Sequence, residues 1–262
     1  MIAEYFARVG YAGVGSPDLR TLRSIHALHV AAIPFENLSP FLGEAVPLNT
    51  ASLEAKIIRK RRGGYCYEQN GLFKSILEEM GFGVRTILAR IHWMSSPQDN
   101  PRGHMALIVN TKEGQYFADV GFGGYLLDAP LELIPDIVQR SPTSNFRFER
   151  TGEMYILQVE LSDTWQNVYQ FTTEPAYPID FEMANWYNSA HPQSRFRNNL
   201  MINRLTPTVR LRLLNKKLTK RYTSGHVEEL ALTSPDMLAE AVQNEMCIDL
   251  PADAAFVFGK LA

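Results

Sequence analysis

The sequence predicts an α+β protein in three successive regions: helices up to about residue 84, strands from there to about residue 185, and a mixed last part. Three observations carry this. Apolar residues recur at helical spacing in the first third, runs rich in β-branched and aromatic residues fill the middle, and two more such runs precede a helix signal in the last third. Ser16-Pro17-Asp18 opens one helix and Thr50-Ala51-Ser52 another, each with short polar side chains suited to cap free N–H groups. A third runs from about Glu68, with Leu72, Phe73, Ile76, Leu77 and Met80 on one face and Gly81 as its stop. Val84 to Ile91 is the first strand. Two more, Arg102 to Val109 and Gln115 to Gly124, are joined by Asn110-Thr111-Lys112-Glu113-Gly114 as a hairpin. Met154 to Leu161 and Trp165 to Thr172 continue the series towards a small barrel. The last region holds strands at Val209 to Leu213 and Lys217 to Tyr222, then a closing helix from Ser234-Pro235. No Pro/Gly/Ser-rich linker divides the regions, so they are expected to pack as one unit.

Composition narrows the function classes. At 262 residues and 45% hydrophobic content the chain can bury a sizeable core. Two cysteines give no disulfide framework, which fits a reducing compartment. Met1 to Arg8 lacks the apolar core of a signal peptide, and no stretch is long and apolar enough to span a bilayer, so a cytoplasmic protein is expected. A net charge of -2 argues against nucleic acid as a partner.

The most informative residue is Cys66, in Arg62-Gly63-Gly64-Tyr65-Cys66-Tyr67-Glu68-Gln69-Asn70. It falls in or just ahead of the first turn of the third helix. A helix N-terminus favours negative charge, and a thiol placed there ionises more readily. Most free cysteines are small packed hydrophobes, but these flanks are Gly, Tyr, Glu and Gln, with a basic stretch before them. Gly63-Gly64 is expected to let the backbone approach whatever Cys66 attacks. Cys247 has no such context and is expected to be an ordinary packed cysteine.

A thiol nucleophile needs a base, and the base an orienting group. His104 opens one strand of the predicted hairpin and Asp119 closes the other, so antiparallel pairing makes them neighbours. A carboxylate then holds the imidazole in one tautomer while the other ring nitrogen faces the thiol. His26 and His29 sit in a helical pattern as packed or solvated side chains. His92 and His191 lack a carboxylate at a useful offset, and His226 follows a turn signal at the surface. No Cys/His spacing suits zinc, so no metal is expected.

These residues resemble the arylamine N-acetyltransferases of the bacterial type, over essentially the whole length. The resemblance rests on Ile33-Pro34-Phe35-Glu36-Asn37-Leu38, the segment around Cys66, Gly103-His104, Asp119-Val120-Gly121-Phe122-Gly123, Asn185-Trp186-Tyr187-Asn188-Ser189 and Ser194-Arg195-Phe196. Their order and joint presence make them specific. The resemblance implies a helical bundle (1–84) carrying the nucleophile, a β-barrel (85–185) carrying His104 and Asp119, and an α/β lid (186–262), with a papain-like Cys-His-Asp core. It implies ping-pong acetyl transfer from acetyl-CoA through an acetyl-cysteine to an arylamine, arylhydrazine or arylhydroxylamine. Catalytic roles fall to Cys66, His104 and Asp119, the acceptor pocket to Phe35, Phe122 and Phe196, and coenzyme A contacts to Gly103, Gly123, Gly124 and Ser194. By charge, Arg195 and the cluster Lys216, Lys217, Lys220 and Arg221 suit phosphates or a solvated face equally. Arg59 to Arg61 are expected on a solvated helix face, and Arg62 is expected to pair with Glu36. Backbone N–H groups near Cys66 and Tyr67, with Gly103 or His104, are candidates for the oxyanion. The same residue order would serve a cysteine hydrolase, a transglutaminase-like enzyme or a family-related amide synthase. A non-catalytic binding module is the remaining alternative, and the intact Cys, His and Asp speak against it.

Overall fold

The computed structural model describes residues 1–261, and these form nine α-helices and thirteen strands. Helix α1 (Ile2–Val9) ends on Gly10, whose φ of 77° is the left-handed conformation glycine adopts freely. Helix α2 (Leu19–Ala32) starts where Asp18 accepts the Thr21 N–H at 2.8 Å, a cap worth about 1 kcal/mol. After strand β1 (Phe35–Glu36) and the short helix α3 (Leu38–Leu42), α4 (Thr50–Leu53) is capped by Asn49 and runs on as a π-turn to Arg59. Helix α5 (Cys66–Glu79) begins two residues earlier than its apolar pattern indicates. Its face Leu72, Phe73, Ile76 and Leu77 is fully buried.

An eight-stranded antiparallel sheet curls into a nearly closed barrel. Its strands are β2 (Gly83–Ile91), β3 (Arg102–Asn110), β4 (Gln115–Ala118), β5 (Leu131–Glu132), β6 (Gln139–Arg140), β7 (Asn145–Thr151), β8 (Met154–Leu161) and β9 (Thr164–Phe171), in the order β5-β4-β3-β2-β9-β8-β7-β6. The two edges meet at one side chain: Gln139 Oε1 accepts the Glu132 N–H at 2.8 Å and its Nε2 donates to Glu132 O at 2.7 Å. That amide satisfies edge groups which would otherwise be open to another chain. Phe117, Phe148 and Phe171 fill the interior with ring contacts of 4.8–5.8 Å.

Helix α6 (Pro178–Ala190) departs from the expected pattern, since the boundary foreseen at 185 falls inside it. Pro178 at its first position starts it. Helix α7 (Arg195–Asn198) leads to β10 (Met201–Leu205), β11 (Val209–Leu214), β12 (Lys217–Tyr222) and β13 (Val227–Ala231). These form a second antiparallel sheet in the order β1-β10-β11-β12-β13, so a strand from the first helical region completes the C-terminal one. Helices α8 (Pro235–Glu240), capped by Ser234 as expected, and α9 (Ala254–Gly259) close the chain. Leu211, Leu213 and Leu218 pack there with Leu238, Val242 and Val257 in a core separate from the main one. Among the described residues no helix is long and apolar enough to cross a membrane.

Candidate active site

Cys66 is the first residue of α5, and its surroundings explain the sequence before it. Glu68 Oε2 reaches back to accept the Tyr65 N–H at 3.1 Å, satisfying one donor of the helix start. Glu68 Oε1 accepts from Lys56 Nζ at 2.6 Å, and Lys56 also lies 3.6 Å from Glu36. Arg62 donates twice to Glu36 Oε1, at 2.8 and 3.0 Å, the pairing the sequence anticipates. Glu36 and Glu68 are buried, so removing one partner of this cluster would cost about 3–5 kcal/mol. Arg59, Lys60 and Arg61 are exposed, as expected. Gly63 and Gly64 also meet a packing need: a Cβ on Gly63 would lie 2.0 Å from Pro34 O, and one on Gly64 2.7 Å from Glu68. Both are buried where the chain packs on itself.

His104 and Asp119 meet across the β3–β4 hairpin. Nε2 of His104 lies 2.7 Å from Asp119 Oδ2, which leaves Nδ1 free to face Cys66. A bulge aims the ring: Ala89 pairs with His104 and Arg90 with Arg102, so Gly103 is the extra residue. The Asp119 carboxylate is fully buried and accepts three further bonds, from Tyr169 Oη (2.9 Å) on Oδ2 and from Asn70 Nδ2 (2.9 Å) and Gly121 N (3.0 Å) on Oδ1.

Burial alone would keep both groups neutral, and their partners reverse it. For His104, burial lowers the pKa, but the charge and hydrogen bond of Asp119, followed by Cys66, outweigh it and push it up to about 10. For Asp119, burial raises the pKa, yet His104, Asn70 and Gly121 hold the carboxyl below its usual range. The arrangement therefore favours an imidazolium beside a carboxylate.

Two bonds from α5 fix His104 against the start of that helix. Tyr67 Oη donates to Gly103 O and Asn70 Nδ2 donates to Met105 O at 2.8 Å, so the carbonyls on both sides of His104 are tied to the helix that starts at Cys66. Burial, then charge at Cys66, pushes the Tyr67 phenol well above its usual pKa, which keeps it a donor. Asn188 Nδ2 donates to the same phenol oxygen at 2.9 Å, and Tyr65 Oη donates to Asn185 Oδ1, so α6 grips both tyrosines flanking Cys66. Behind the site, His26 Nε2 accepts the Asp119 N–H at 3.4 Å. His29 lies between Tyr5 Oη (2.9 Å) and Gln69 Oε1 (2.6 Å). Their helical spacing marked only a packed face, and nothing local in the sequence signals these long-range partners. A cavity of about 970 Å³ between residues 43–50, α5 and α6 has Tyr67 and Met105 in its wall but neither Cys66 nor His104.

The N-acetyltransferase family model matches residues 18–255. An arylamine N-acetyltransferase of Escherichia coli (strain K12) is 39% identical over 230 residues, 87% of this chain and 82% of the relative. One of Mycolicibacterium smegmatis is 39% identical over 255 residues, 95% of this chain and 92% of the relative. The chain belongs to the arylamine N-acetyltransferases. The fold agrees with this acyltransferase family throughout. The crystal structure of a variant Mycobacterium smegmatis N-arylamine acetyltransferase superposes with a TM-score of 0.93 at 37% identity, covering 100% of this chain and 98% of that one. A Mycobacterium marinum arylamine N-acetyltransferase in complex with CoA gives 0.94 at 31% identity, covering 100% and 98%.

Within this arylamine N-acetyltransferase fold, the other residues singled out by sequence divide into those near the site and those engaged elsewhere. Phe122 is buried, with its ring 5.0 Å from His104 and 5.2 Å from Tyr169, so it packs on the base itself. Phe35 lies 6.0 Å from half-buried Phe196, which also meets Tyr65 at 5.5 Å. Gly123 and Gly124 are half-buried in the loop after Asp119, where a Cβ would lie 2.4 Å from the Phe35 ring and 2.5 Å from the Phe122 ring. Ser194 is buried and its hydroxyl is in use: it donates to Asn188 O at 2.5 Å and caps α7. Lys217 pairs with Glu229, Lys220 with Glu245, and Lys216 lies over the Phe258 ring, so these lysines have partners of their own. Cys247, expected as a packed cysteine, is instead the exposed one of the two. Cys66 is 5% exposed because helix, strand and loop converge on it, whereas Cys247 is exposed in a turn at φ 57°.

Proposed function

We propose that this enzyme carries an acetyl group from acetyl-CoA to an arylamine, arylhydrazine or arylhydroxylamine by a ping-pong route through acetyl-Cys66, within a papain-like arrangement of Cys66, His104 and Asp119. The observation that carries the proposal is the 2.7 Å pairing of Asp119 with His104, on a strand tied by Tyr67 and Asn70 to the helix that begins with Cys66. His104 takes the thiol proton, and the sulfur attacks the thioester carbonyl. The C–S bond to coenzyme A breaks, and the CoA thiolate takes the proton back from His104 as it leaves. The intermediate is again a thioester, so the first half-reaction is close to thermoneutral. An arylamine nitrogen, weakly basic and neutral near pH 7, then attacks acetyl-Cys66 while His104 accepts its proton and returns it to the cysteine sulfur. Backbone N–H groups of Cys66 and Tyr67 at the helix start are the donors we assign to the oxyanion.

For the acceptor ring we assign Phe122, which packs on His104, and Phe35 and Phe196, which meet each other beside Tyr65. For coenzyme A we retain the backbone of Gly103, Gly123 and Gly124. Ser194, whose hydroxyl is engaged within the fold, is kept only as a cap. Free thiols and the use of acetyl-CoA suit the cytoplasm. The decisive experiment is mass spectrometry of the intact protein after exposure to acetyl-CoA alone. One acetyl group on Cys66, absent from Cys66→Ala together with turnover, is expected; label on Cys247 would overturn the mechanism. Release of free acetate at the same rate with and without arylamine would assign a hydrolase instead.

A further inference from the structure

Helix α6 has two opposite faces, and the fold uses only one of them. Phe181 is buried, Asn185 donates to Val46 O at 2.8 Å and accepts from Tyr65 Oη, and Asn188 donates to Tyr67 Oη, so this face is turned inward. Ile179, Met183, Trp186 and Tyr187 recur at positions i, i+4, i+7 and i+8 on the other side. They are 60%, 70%, 64% and 41% exposed. Single exposed apolar side chains are ordinary, but four large ones in line on one helix make a continuous stripe. With Glu182, Ala190 and Arg197 along its rim, all exposed, this face offers about 600 Å².

The charges around the stripe select what can cover it. Residues 178–190 hold Asp180 and Glu182 but no lysine or arginine, so an anionic lipid surface would be repelled. Among the described residues neither Glu182 nor Arg197 makes an ion pair. The Arg197 guanidinium is held at the C-terminal end of the helix, where Nη1 donates to Ala190 O at 2.8 Å. Glu182 and Ala190 are about 12 Å apart along the axis, and Trp186 is midway between them. A two-fold axis at Trp186 therefore sets Glu182 of one copy against the Arg197 end of another, and does so twice. It also opposes the two helix dipoles.

We infer that this face binds a second copy of the chain, with α6 packed antiparallel on α6 around a two-fold axis at Trp186 and Glu182 paired with Arg197 across the interface. Such a contact buries about 1,200 Å² in total, the lower end of specific interfaces, with an apolar centre and a charged rim. Each helix then lies between the interface and the two tyrosines that flank Cys66.

Sedimentation velocity of the intact protein reads the association, with a reductant present so that the exposed Cys247 cannot cross-link two copies. The native chain is expected to pass from monomer to dimer between about 1 and about 200 µM. Met183→Glu and Trp186→Glu alter only exposed side chains, and each is expected to raise the dissociation constant at least about tenfold with an unchanged far-UV circular dichroism spectrum. Glu182→Arg and Arg197→Glu should each weaken pairing by bringing like charges together. An equimolar mixture of these two variants should recover it, because both pairs across the interface are then opposite in sign. A native protein that stays monomeric over that range overturns the inference, as does a dimer that Met183→Glu and Trp186→Glu leave intact. A mixture of the charge variants that remains monomeric overturns the antiparallel arrangement. Flotation of the native monomer with phosphatidylglycerol vesicles, lost in Met183→Glu, would assign the stripe to a lipid surface and overturn the inference too.

Discussion

Cys66 and Cys247 are the same side chain in two opposite settings. Cys66 is buried at the first turn of α5, with His104 against its sulfur and the neighbouring chain fixed by Glu68, Tyr67 and Asn70. Cys247 is exposed at a left-handed turn after the last π-turn, and its sulfur has only Asn244 O nearby, at 3.9 Å. Solvent access is therefore the lesser difference between them. What distinguishes Cys66 is an imidazole at a fixed position and a carboxylate paired with that imidazole, both shielded from water.

The comparison breaks most readily at the base. His104→Gln or Asp119→Asn is expected to slow acetylation of Cys66 by about 10³–10⁴, since the base or its orientation is lost. Alkylation by iodoacetamide at pH 6 should then fall towards the rate of Cys247. Near-native alkylation of Cys66 in the His104 variant would show that another group activates the thiol.

The dry setting behind Cys66 also has a signature in acid. His26 and His29 are fully buried, and burial lowers their pKa to about 4 and about 3. Both are neutral in the fold but take up protons near pH 6.5 once unfolded. Below pH 6.5 the unfolded chain thus binds more protons, and stability falls as pH drops towards 4, by order of 3 kcal/mol for each residue. Asp119, lowered by His104, adds a loss only below its ordinary range, as pH falls through its folded value. His104 acts oppositely: its contribution is complete below about pH 6.5 and is lost as pH rises through about 10. Urea unfolding at pH 7, 5.5 and 4.5 reads the first limb, and a flat profile would reject it.

A smaller change sharpens the same contrast. Tyr67→Phe keeps the ring but removes the bond to Gly103 O, freeing the bulge that aims His104. Acetylation of Cys66 should drop about tenfold with KM for acetyl-CoA little changed, because a small displacement at the reacting atoms is costly. An unchanged rate would mean that the tie from Asn70 to Met105 O suffices. Cys247→Ser is expected to change neither acetylation nor turnover, and a measurable loss in either would show that the exposed cysteine takes part.

Much of the fold was legible because its signals are local. The caps at Asp18 and Ser234, the face Leu72, Phe73, Ile76 and Leu77, and the hairpin joining β3 to β4 each follow from residues within a few positions of one another. The hairpin also made the meeting of His104 and Asp119 legible, since a register that pairs Leu107 with Ala118 sets Asp119 on the same face and diagonal to His104. Helix α6 was missed because it follows a run of strands and presents Ile179, Met183 and Trp186 to solvent, so no buried apolar stripe announces it. The placement of β1 beside β10 joins segments more than 160 residues apart, and no local pattern encodes that.

By itself, then, the sequence determined the reactive elements: a thiol at a helix start, a histidine and an aspartate at opposite ends of a hairpin, and glycines where chains press together. Tertiary structure alone decided what surrounds them. It buried Cys66 and exposed Cys247, placed Tyr67 and Asn70 on the two carbonyls beside His104, and set the Phe122 ring edge-on to His104. The physical reason is range. Caps, turns and register are settled by backbone hydrogen bonds between near neighbours, whereas burial and the pairing of charges depend on which distant surfaces pack together.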